Sequence, residues 1–259
     1  MTGIAPVAIV TGGSGGLAPG IVRALAETGA TVVITARRED RLAEAARQLA
    51  DAGTVIPMTS DATDSDAISR FVTDVRDRFG RIDILVNAAA SSTPIGGAVE
   101  TVNVDALMRD VDTKVGGYLR YISAVVPVMK VQGDGRIINI GGLTGRSSDT
   151  LSGLRNVAVS HLTKVLSDQL APFGLSVNAV HPGIVATPHL AELFGEMAEA
   201  RGVAPQEIEA EFTAEIPARR MLTPDEVGRA VLFLAQAKPH WINGESITVD
   251  GGYSRGVFL

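Results

Sequence analysis

The chain has 259 residues, 46% of them hydrophobic, and a formal net charge of −6. This length fits one large α/β domain spanning 1–259, with enough apolar side chains to cover both faces of a sheet. The acidic balance argues against a nucleic-acid partner, because phosphate contacts need clustered lysines and arginines, and the absence of cysteine excludes disulfides, thiolate metal sites and a cysteine nucleophile.

Nothing in the sequence predicts secretion or membrane insertion. The first residues, MTGIAPVAIVTGG, include an apolar run but lack a basic leader and reach glycine too early for a signal peptide. No uninterrupted stretch of about 18 apolar residues occurs. The histidines show no metal-like spacing. We therefore expect a cytoplasmic protein with no membrane contact and no metal site.

Short β-branched runs alternate with longer helical patterns, which is typical of βαβ units and a parallel sheet. The predicted strands are Val7–Val10, Thr31–Thr35, Thr54–Met58, Ile82–Val86, Arg136–Ile140, Ser176–Val180 and Ser246–Val249. The predicted helices are Gly16–Thr28, Arg38–Asp51, Asp64–Phe79, Val104–Lys130, Ser152–Ala171 and Pro224–Ala235. We predict a single-domain Rossmann-type α/β fold, a doubly wound parallel sheet of about seven strands with helices on both faces.

The segment Pro188–Pro217 interrupts this alternation. It is acidic, has a helical pattern and lies between two predicted strands. One interpretation is a pair of solvated surface helices, and the other is a lid over a substrate pocket, since a long excursion inside a compact domain is often functional. The sequence leaves both open.

The stretch VAIVTGGSGGLAPG places a glycine-rich turn between a buried strand and the start of a helix. Glycines there permit a close approach of the backbone to a pyrophosphate, whose charge the helix amino terminus favours. A glycine cluster alone is weak evidence, because ordinary turns are also rich in glycine. However, the spacing from Thr11-Gly12 to Gly16 resembles the T-G-x-x-x-G-x-G motif of the short-chain dehydrogenase/reductase family, with Ala18 in place of the last glycine.

Further segments in the same order along the chain resemble this family. SDATD resembles its adenine-contacting acid, LVNAAA its L-V-N-x-A-G motif with Ala89 replacing glycine, and VNAVHPGIVATP its P-G-x-x-x-T loop beside the nicotinamide. NGESITVDGGY resembles its carboxyl-terminal signature, near which subunits often meet, so the resemblance implies a homo-oligomer, a dimer or tetramer. The cofactor-binding residues that it implies are Thr11, Gly12, Ser14, Gly16, Leu17, Asp61, Ala62, Asn87, Ala88, Pro182, Gly183 and Thr187.

The end of the second predicted strand indicates which dinucleotide is bound. An acid at this position would bond the ribose 2′-hydroxyl of NAD, whereas an arginine accommodates the 2′-phosphate of NADP. In TVVITARRED the acid position is Ala36, and Arg37 and Arg38 follow it. This favours NADP over NAD, with Arg37 as the phosphate-binding residue. The alternative is that both arginines merely lead a solvated helix.

The residues that carry the chemistry of this family are replaced here. The family uses a serine, a tyrosine, a lysine four residues later, and an asparagine on the preceding helix. NIGG puts Gly142 at the serine, and DTKVGGYL puts Lys114 at the asparagine. RNVAVSHLTK puts Ser152 at the tyrosine and Asn156 at the lysine. The family's usual spacing from serine to tyrosine, counted from Gly142, would instead put the tyrosine position near Arg155. We prefer the match along the helix, because loops change length more easily than helices lose register.

Lysine and asparagine have therefore exchanged positions, and we predict a catalytic set of Lys114, Ser152 and Asn156. Burial lowers the pKa of an ammonium, which suits Lys114 to acid–base work. The alternative is a structural Lys114 paired with Asp110 or Asp112. Ser152 is a weak substitute for tyrosine, because an aliphatic hydroxyl ionises far less readily than a phenol.

Two neighbouring features border this predicted site. Thr144, Ser147 and Ser148 lie in a loop that either edges the pocket or is a solvated turn. His181 precedes the Pro-Gly pair and either faces the site or is a satisfied polar residue.

We predict an NADP(H)-dependent oxidoreductase that moves hydride to or from a carbonyl, a hydroxyl or an activated double bond of a small molecule, with an atypical active site. A non-redox enzyme on the same fold, such as an isomerase, dehydratase or cyclase, is the alternative, as is a non-catalytic cofactor-binding scaffold. Fold alone does not decide between them.

Overall fold

Seven parallel strands form one sheet in the computed structural model, which describes residues 5–91, 95, 98–146, 150–237 and 241–255. The strands are β1 Val7–Thr11, β2 Thr31–Thr35, β3 Val55–Pro57, β4 Ile84–Asn87, β5 Gly135–Ile140, β6 Leu175–Pro182 and β7 Ser246–Val249. Their order is β3-β2-β1-β4-β5-β6-β7, with every neighbouring pair parallel. The predicted fold class is confirmed.

Helices cover both faces of this sheet. They are α1 Ala18–Ala26, α2 Glu39–Gln48, α3 Ser65–Phe79, α4 Val104–Val111, α5 Gly117–Gln132, α6 Gly153–Leu170, α7 Pro188–Arg201, α8 Pro205–Glu215 and α9 Pro224–Gln236. Successive residues of β1 point to opposite faces, so Ala8 and Val10 pack with α1, α2 and α9 while Val7 and Ile9 pack with α3 and α5. Strands buried on both faces read as continuous apolar runs, which is why their pattern was recognisable in the sequence.

The helix predicted over Val104–Lys130 is present but is not a regular α-helix throughout. A π-helical turn over Asp112–Gly116 separates α4 from α5. A Cβ at Gly116 would lie 2.6 Å from the Asp112 carboxylate, and one at Gly117 would lie 3.0 Å from the Ala62 side chain. The two glycines therefore allow the widened turn and its close packing, and hydrophobic periodicity does not detect a one-residue widening. Such turns inside helices are frequently found at functional sites.

The segment Pro188–Pro217 contains the helical pair that its pattern indicates, α7 and α8. Phe194, Ala198 and Ile208 form a small buried cluster between these helices, separate from the two clusters on the sheet. Thr187 caps α7, since its side chain accepts a hydrogen bond from the backbone of Leu190. The segment therefore has a core of its own, and its use as a lid stays a prediction.

No helix within the described ranges combines the length and the apolar character that crossing a membrane requires.

Candidate active site

A cleft of about 840 Å³ opens at the carboxyl ends of the strands. It lies beside β1 and β4, where the strand order reverses, and ligands of open α/β sheets bind at such a switch point. The predicted cofactor residues that line the cleft are Thr11, Gly12, Ser14, Gly16, Arg37, Asp61, Ala62 and Ala88.

The floor of this cleft is made by backbone. Gly12 has φ +70°, and a Cβ there would lie 2.8 Å from the carbonyl oxygen of Ala88, so both its conformation and its surroundings require glycine. The Thr11 hydroxyl accepts hydrogen bonds from the backbone N–H groups of Ala88 at 3.0 Å and Ala89 at 3.1 Å. Thr11 thus ties the loop after β1 to the loop after β4, and the narrow glycine turn fits a dinucleotide pyrophosphate.

The remaining predicted cofactor residues do not line the cleft: Leu17, Asn87, Pro182, Gly183 and Thr187. The Asn87 side chain is fully buried and donates a 2.9 Å hydrogen bond to Asn139, which joins β4 to β5. Leu17 packs against the core beneath α1. Thr187 lies against Gly16, where a Cβ would come within 2.8 Å of it. Asn87, Leu17 and Thr187 therefore stabilise the elements around the cleft. Direct contacts of all five residues with a cofactor stay predictions.

A group of arginines borders the cleft beyond β2. Arg37 is exposed and lines the cleft, Arg38 lies beside it on the same rim, and Arg41 joins them from the first turn of α2. Arg41 was not predicted as a site residue; its place beside the other two follows from the turn of the helix. None of the three forms an ion pair with any residue that the structure describes. Their charge is therefore available to an anionic group of a ligand.

Lys114 lies on the π-helical turn and is 4% exposed. Its ammonium donates a 2.7 Å hydrogen bond to the carbonyl oxygen of Gly141 and a 2.8 Å hydrogen bond to Oδ1 of Asn156. The structure therefore brings together the lysine and asparagine that the sequence placed on two different helices. Thr113, the preceding residue, lines the cleft, so the buried side-chain cluster of Lys114, Asn156 and Asp110, called the Lys114 pocket below, adjoins it.

Asp110 and Asp112, the two possible partners of a purely structural Lys114, do not form an ion pair with it in the part of the chain that the structure describes. Asp110 forms an ion pair with Arg155, and Asp112 pairs with Arg120 at 2.7 Å. The pKa of Lys114 is lowered to about 7, mainly by burial and to a smaller extent by repulsion from Arg155, while attraction by Asp110 partly opposes both. Near neutral pH the amine therefore exchanges readily between its charged and neutral forms, which is the property an acid–base group needs.

Asn156 extends the network away from Lys114. Its Nδ2 donates a 2.7 Å hydrogen bond to the hydroxyl of Thr144, which lies on a short 3₁₀ turn after β5. Thr144 is half-buried, so it is part of a packed polar group and not a solvated turn. The other two hydroxyls considered with it, Ser147 and Ser148, lie outside the described residues.

Ser152 has a different set of contacts. It is 2% exposed, its hydroxyl accepts a 2.8 Å hydrogen bond from the backbone N–H of Ile95, and its own N–H donates to the Ile95 carbonyl at 3.3 Å. Within the described ranges it makes no hydrogen bond to Lys114 or Asn156. Ser152 therefore positions the chain at Ile95, and a catalytic role for it stays a prediction.

Comparison with known proteins shows the family to which the chain belongs. A family model described as enoyl-(acyl carrier protein) reductase matches residues 12–254. An uncharacterized oxidoreductase of Staphylococcus saprophyticus is 33% identical over 248 residues, which cover 94% of this chain and 96% of that protein. The chain belongs to the short-chain dehydrogenase/reductase family of oxidoreductases.

Two solved members of this family are similar over nearly their whole length. A variant of actinorhodin polyketide ketoreductase, determined with NADPH, has a TM-score of 0.90 and 30% identity, covering 97% of this chain and 98% of its own. L-sorbose reductase from Gluconobacter frateurii, complexed with NADPH and L-sorbose, has a TM-score of 0.91 and 26% identity, covering 98% and 99%.

Two other residues of this short-chain dehydrogenase/reductase complete the pocket. Arg155 is mostly buried, pairs with Asp110 and donates a 3.2 Å hydrogen bond to the carbonyl oxygen of Ser91. From the sequence, Arg155 was only an alternative match to the tyrosine position, and its ion pair was not predicted. The ring of His181 accepts a 3.2 Å hydrogen bond from the Gly142 N–H and lies 3.0 Å from the Ser160 hydroxyl, so it is a satisfied buried polar residue.

Proposed function

We propose that this protein is an NADP(H)-dependent oxidoreductase that transfers hydride to or from a carbonyl, a hydroxyl or an activated double bond of a small molecule. The observation that carries the proposal is the buried Lys114–Asn156 pair beside a cleft whose glycine backbone fits a dinucleotide. The active site is atypical, because Lys114 and Asn156 stand where the family has asparagine and lysine.

The preference for NADP rests on the arginines beyond β2. Ala36 provides no carboxylate for a ribose 2′-hydroxyl, whereas Arg37, Arg38 and Arg41 border the cleft without ion-pair partners among the described residues. Guanidinium groups bind phosphate in a bidentate manner, which suits a 2′-phosphate. The two similar structures were determined with NADPH. When bound, the reduced cofactor supplies a hydride, and the glycine turn and these arginines would hold it.

The protein's own chemistry is assigned to Lys114. Two of its three N–H groups are held by Gly141 and Asn156, which fixes the direction of the ammonium. With a pKa of about 7 it can give a proton to a substrate oxygen during reduction or take one during oxidation. It would thus replace the phenol that the family uses. Asn156 orients the ammonium, and the Ser152 hydroxyl holds the backbone N–H of Ile95.

Three further assignments belong to the proposal. Pro188–Pro217 acts as a lid, the protein works in the cytoplasm, and it forms a homo-oligomer, a dimer or tetramer. Support for the oligomer comes from Val104 and Met108 on α4 and Leu154 and Val157 on α6, apolar side chains that are all more than half exposed.

Titration with NADPH and with NADH, followed by nicotinamide fluorescence, tests the cofactor assignment. We expect both to bind and NADPH to bind more tightly. Loss of NADPH absorbance is then followed with cyclohexanone, 2-cyclohexen-1-one and ethyl acetoacetate as probes. Binding without turnover of any probe would favour a cofactor-binding scaffold. Failure to bind either dinucleotide would favour a non-redox enzyme.

A further inference from the structure

One of the two hydrogen bonds that Lys114 donates is the start of a series through Asn156 to Thr144, in which each donor lies on the Lys114 side. The ammonium donates to Oδ1 of Asn156 at 2.8 Å, and Nδ2 of the same amide donates to the Thr144 hydroxyl oxygen at 2.7 Å. Donors in series polarise one another, so each bond strengthens the next. The positive charge on Lys114 therefore acts on the Thr144 hydroxyl through Asn156.

The Thr144 hydroxyl is the end of this series. Its oxygen accepts from Asn156, which leaves its proton as the remaining donor. None of the other residues that the structure describes accepts that proton. Thr144 lies just beyond the carboxyl end of β5, at the edge of the sheet where substrates of such folds bind.

Gly142 makes this arrangement possible. A Cβ at Gly142 would lie 2.8 Å from Nδ2 of Asn156, closer than side chains normally approach. A serine here, where the family has one, would displace the amide or take its hydrogen bond. With glycine at 142 the amide reaches Thr144. The hydroxyl beside this amide is therefore that of Thr144, two residues after the position at which the family has its serine.

We propose that the Thr144 hydroxyl donates a hydrogen bond to the carbonyl oxygen of the substrate, and that Asn156 and Lys114 polarise it for this purpose. The inference rests on the proposed function and assigns the site to substrates that have a carbonyl oxygen. No covalent bond forms or breaks at Thr144. Its hydrogen bond strengthens as the oxygen gains negative charge, which is how a donor of this kind accelerates the reaction.

Reduction of the three carbonyl probes by the Thr144→Val and Thr144→Ser variants tests this assignment. Valine matches threonine in shape but lacks the donor, so we expect kcat to fall about 100-fold, with the Kd for NADPH and the melting temperature little changed. Serine keeps the hydroxyl and should keep most of the rate. The decline of the rate with rising pH should persist in Thr144→Val, since the proton comes from Lys114.

Thr73→Val is the matched control, because it makes the same change on the exposed face of α3. A Thr144→Val enzyme as fast as the wild type would overturn the assignment of Thr144 and leave the proposed function intact. Equal losses in Thr144→Val and Thr144→Ser would also overturn it, since the hydroxyl would then not matter. A wild type that binds NADPH but reduces none of the probes would overturn the proposed function and this inference together.

Discussion

The cofactor cleft and the Lys114 pocket lie side by side but are built differently. The cleft is formed mainly by backbone, with Gly12 held against Ala88 and with arginines at an exposed rim. The pocket is formed by side chains, with Lys114, Asn156 and Asp110 all at least 95% buried. A site made of backbone tolerates few changes and so remains recognisable, whereas a site made of side chains can be rebuilt by exchanging partners.

The electrostatics of the two regions differ for the same reason. Exposed arginines at the cleft rim are solvated, so their charge costs little before a ligand binds. In the pocket the Arg155 guanidinium pairs with the carboxylate of Asp110, and burial, together with repulsion from Arg155, lowers the pKa of Lys114. Changes in the pocket should therefore affect chemistry and stability, and changes at the rim should affect binding.

The largest expected effect is that of Lys114→Met. Removing the acid–base group should lower turnover of a carbonyl probe about 1,000-fold, within the range for general acid–base catalysis. The Kd for NADPH should stay nearly constant, because Lys114 does not line the cleft. Steady-state kinetics and fluorescence titration measure both quantities.

Lys130→Met is the control for this change, since Lys130 is exposed at the end of α5. Unchanged turnover in Lys114→Met would remove Lys114 from the mechanism. Loss of NADPH binding would show instead that the pocket and the cleft are not independent.

The next largest effect should come from Asp110→Ala. It leaves the Arg155 guanidinium without its partner in a buried setting, which typically lowers the free energy of unfolding by about 3–5 kcal/mol. Asp112→Ala is the matched control: the Asp112 side chain is 48% exposed, so loss of its pair with Arg120 should cost under about 1 kcal/mol. Urea denaturation compares the two. Equal decreases in the free energy of unfolding would mean that burial does not make the Asp110–Arg155 pair more important for stability than the Asp112–Arg120 pair.

The contrast between the regions also explains what the sequence could predict. The strands and the glycine turn follow from local patterns, and the choice of Lys114 and Asn156 as site residues followed from their match to the asparagine and lysine positions of the family. The π-helical turn did not, because the widening leaves the apolar spacing almost unchanged. Arg41 and Arg155 were missed as site residues, and Thr144 was left undecided, because their roles depend on contacts with other elements, such as Asp110 on α4.

At the cleft rim, Arg37→Ala should weaken NADPH binding by about tenfold, the equivalent of one exposed phosphate contact of about 1.4 kcal/mol. NADH binding should hardly change, because it lacks the 2′-phosphate. Arg70→Ala removes a charge from the exposed face of α3, outside the residues lining the cleft, and serves as the control. Equal weakening of both dinucleotides would show that Arg37 does not contact that phosphate.

The smallest expected effect concerns pH. For reduction Lys114 must be protonated, so kcat/KM should be constant below a pH of about 7 and fall as pH rises through the pKa of Lys114. One pH unit above the pKa only about a tenth of the amine is protonated, so the rate should be about tenfold lower. Oxidation should show the opposite dependence.

Replacing Asp110 by asparagine removes the charge that raises the pKa of Lys114, so the fall in kcat/KM should begin at lower pH, whereas Asp112→Asn should leave the pH of this fall unchanged. A profile that does not move in Asp110→Asn would mean that the titrating group is not Lys114.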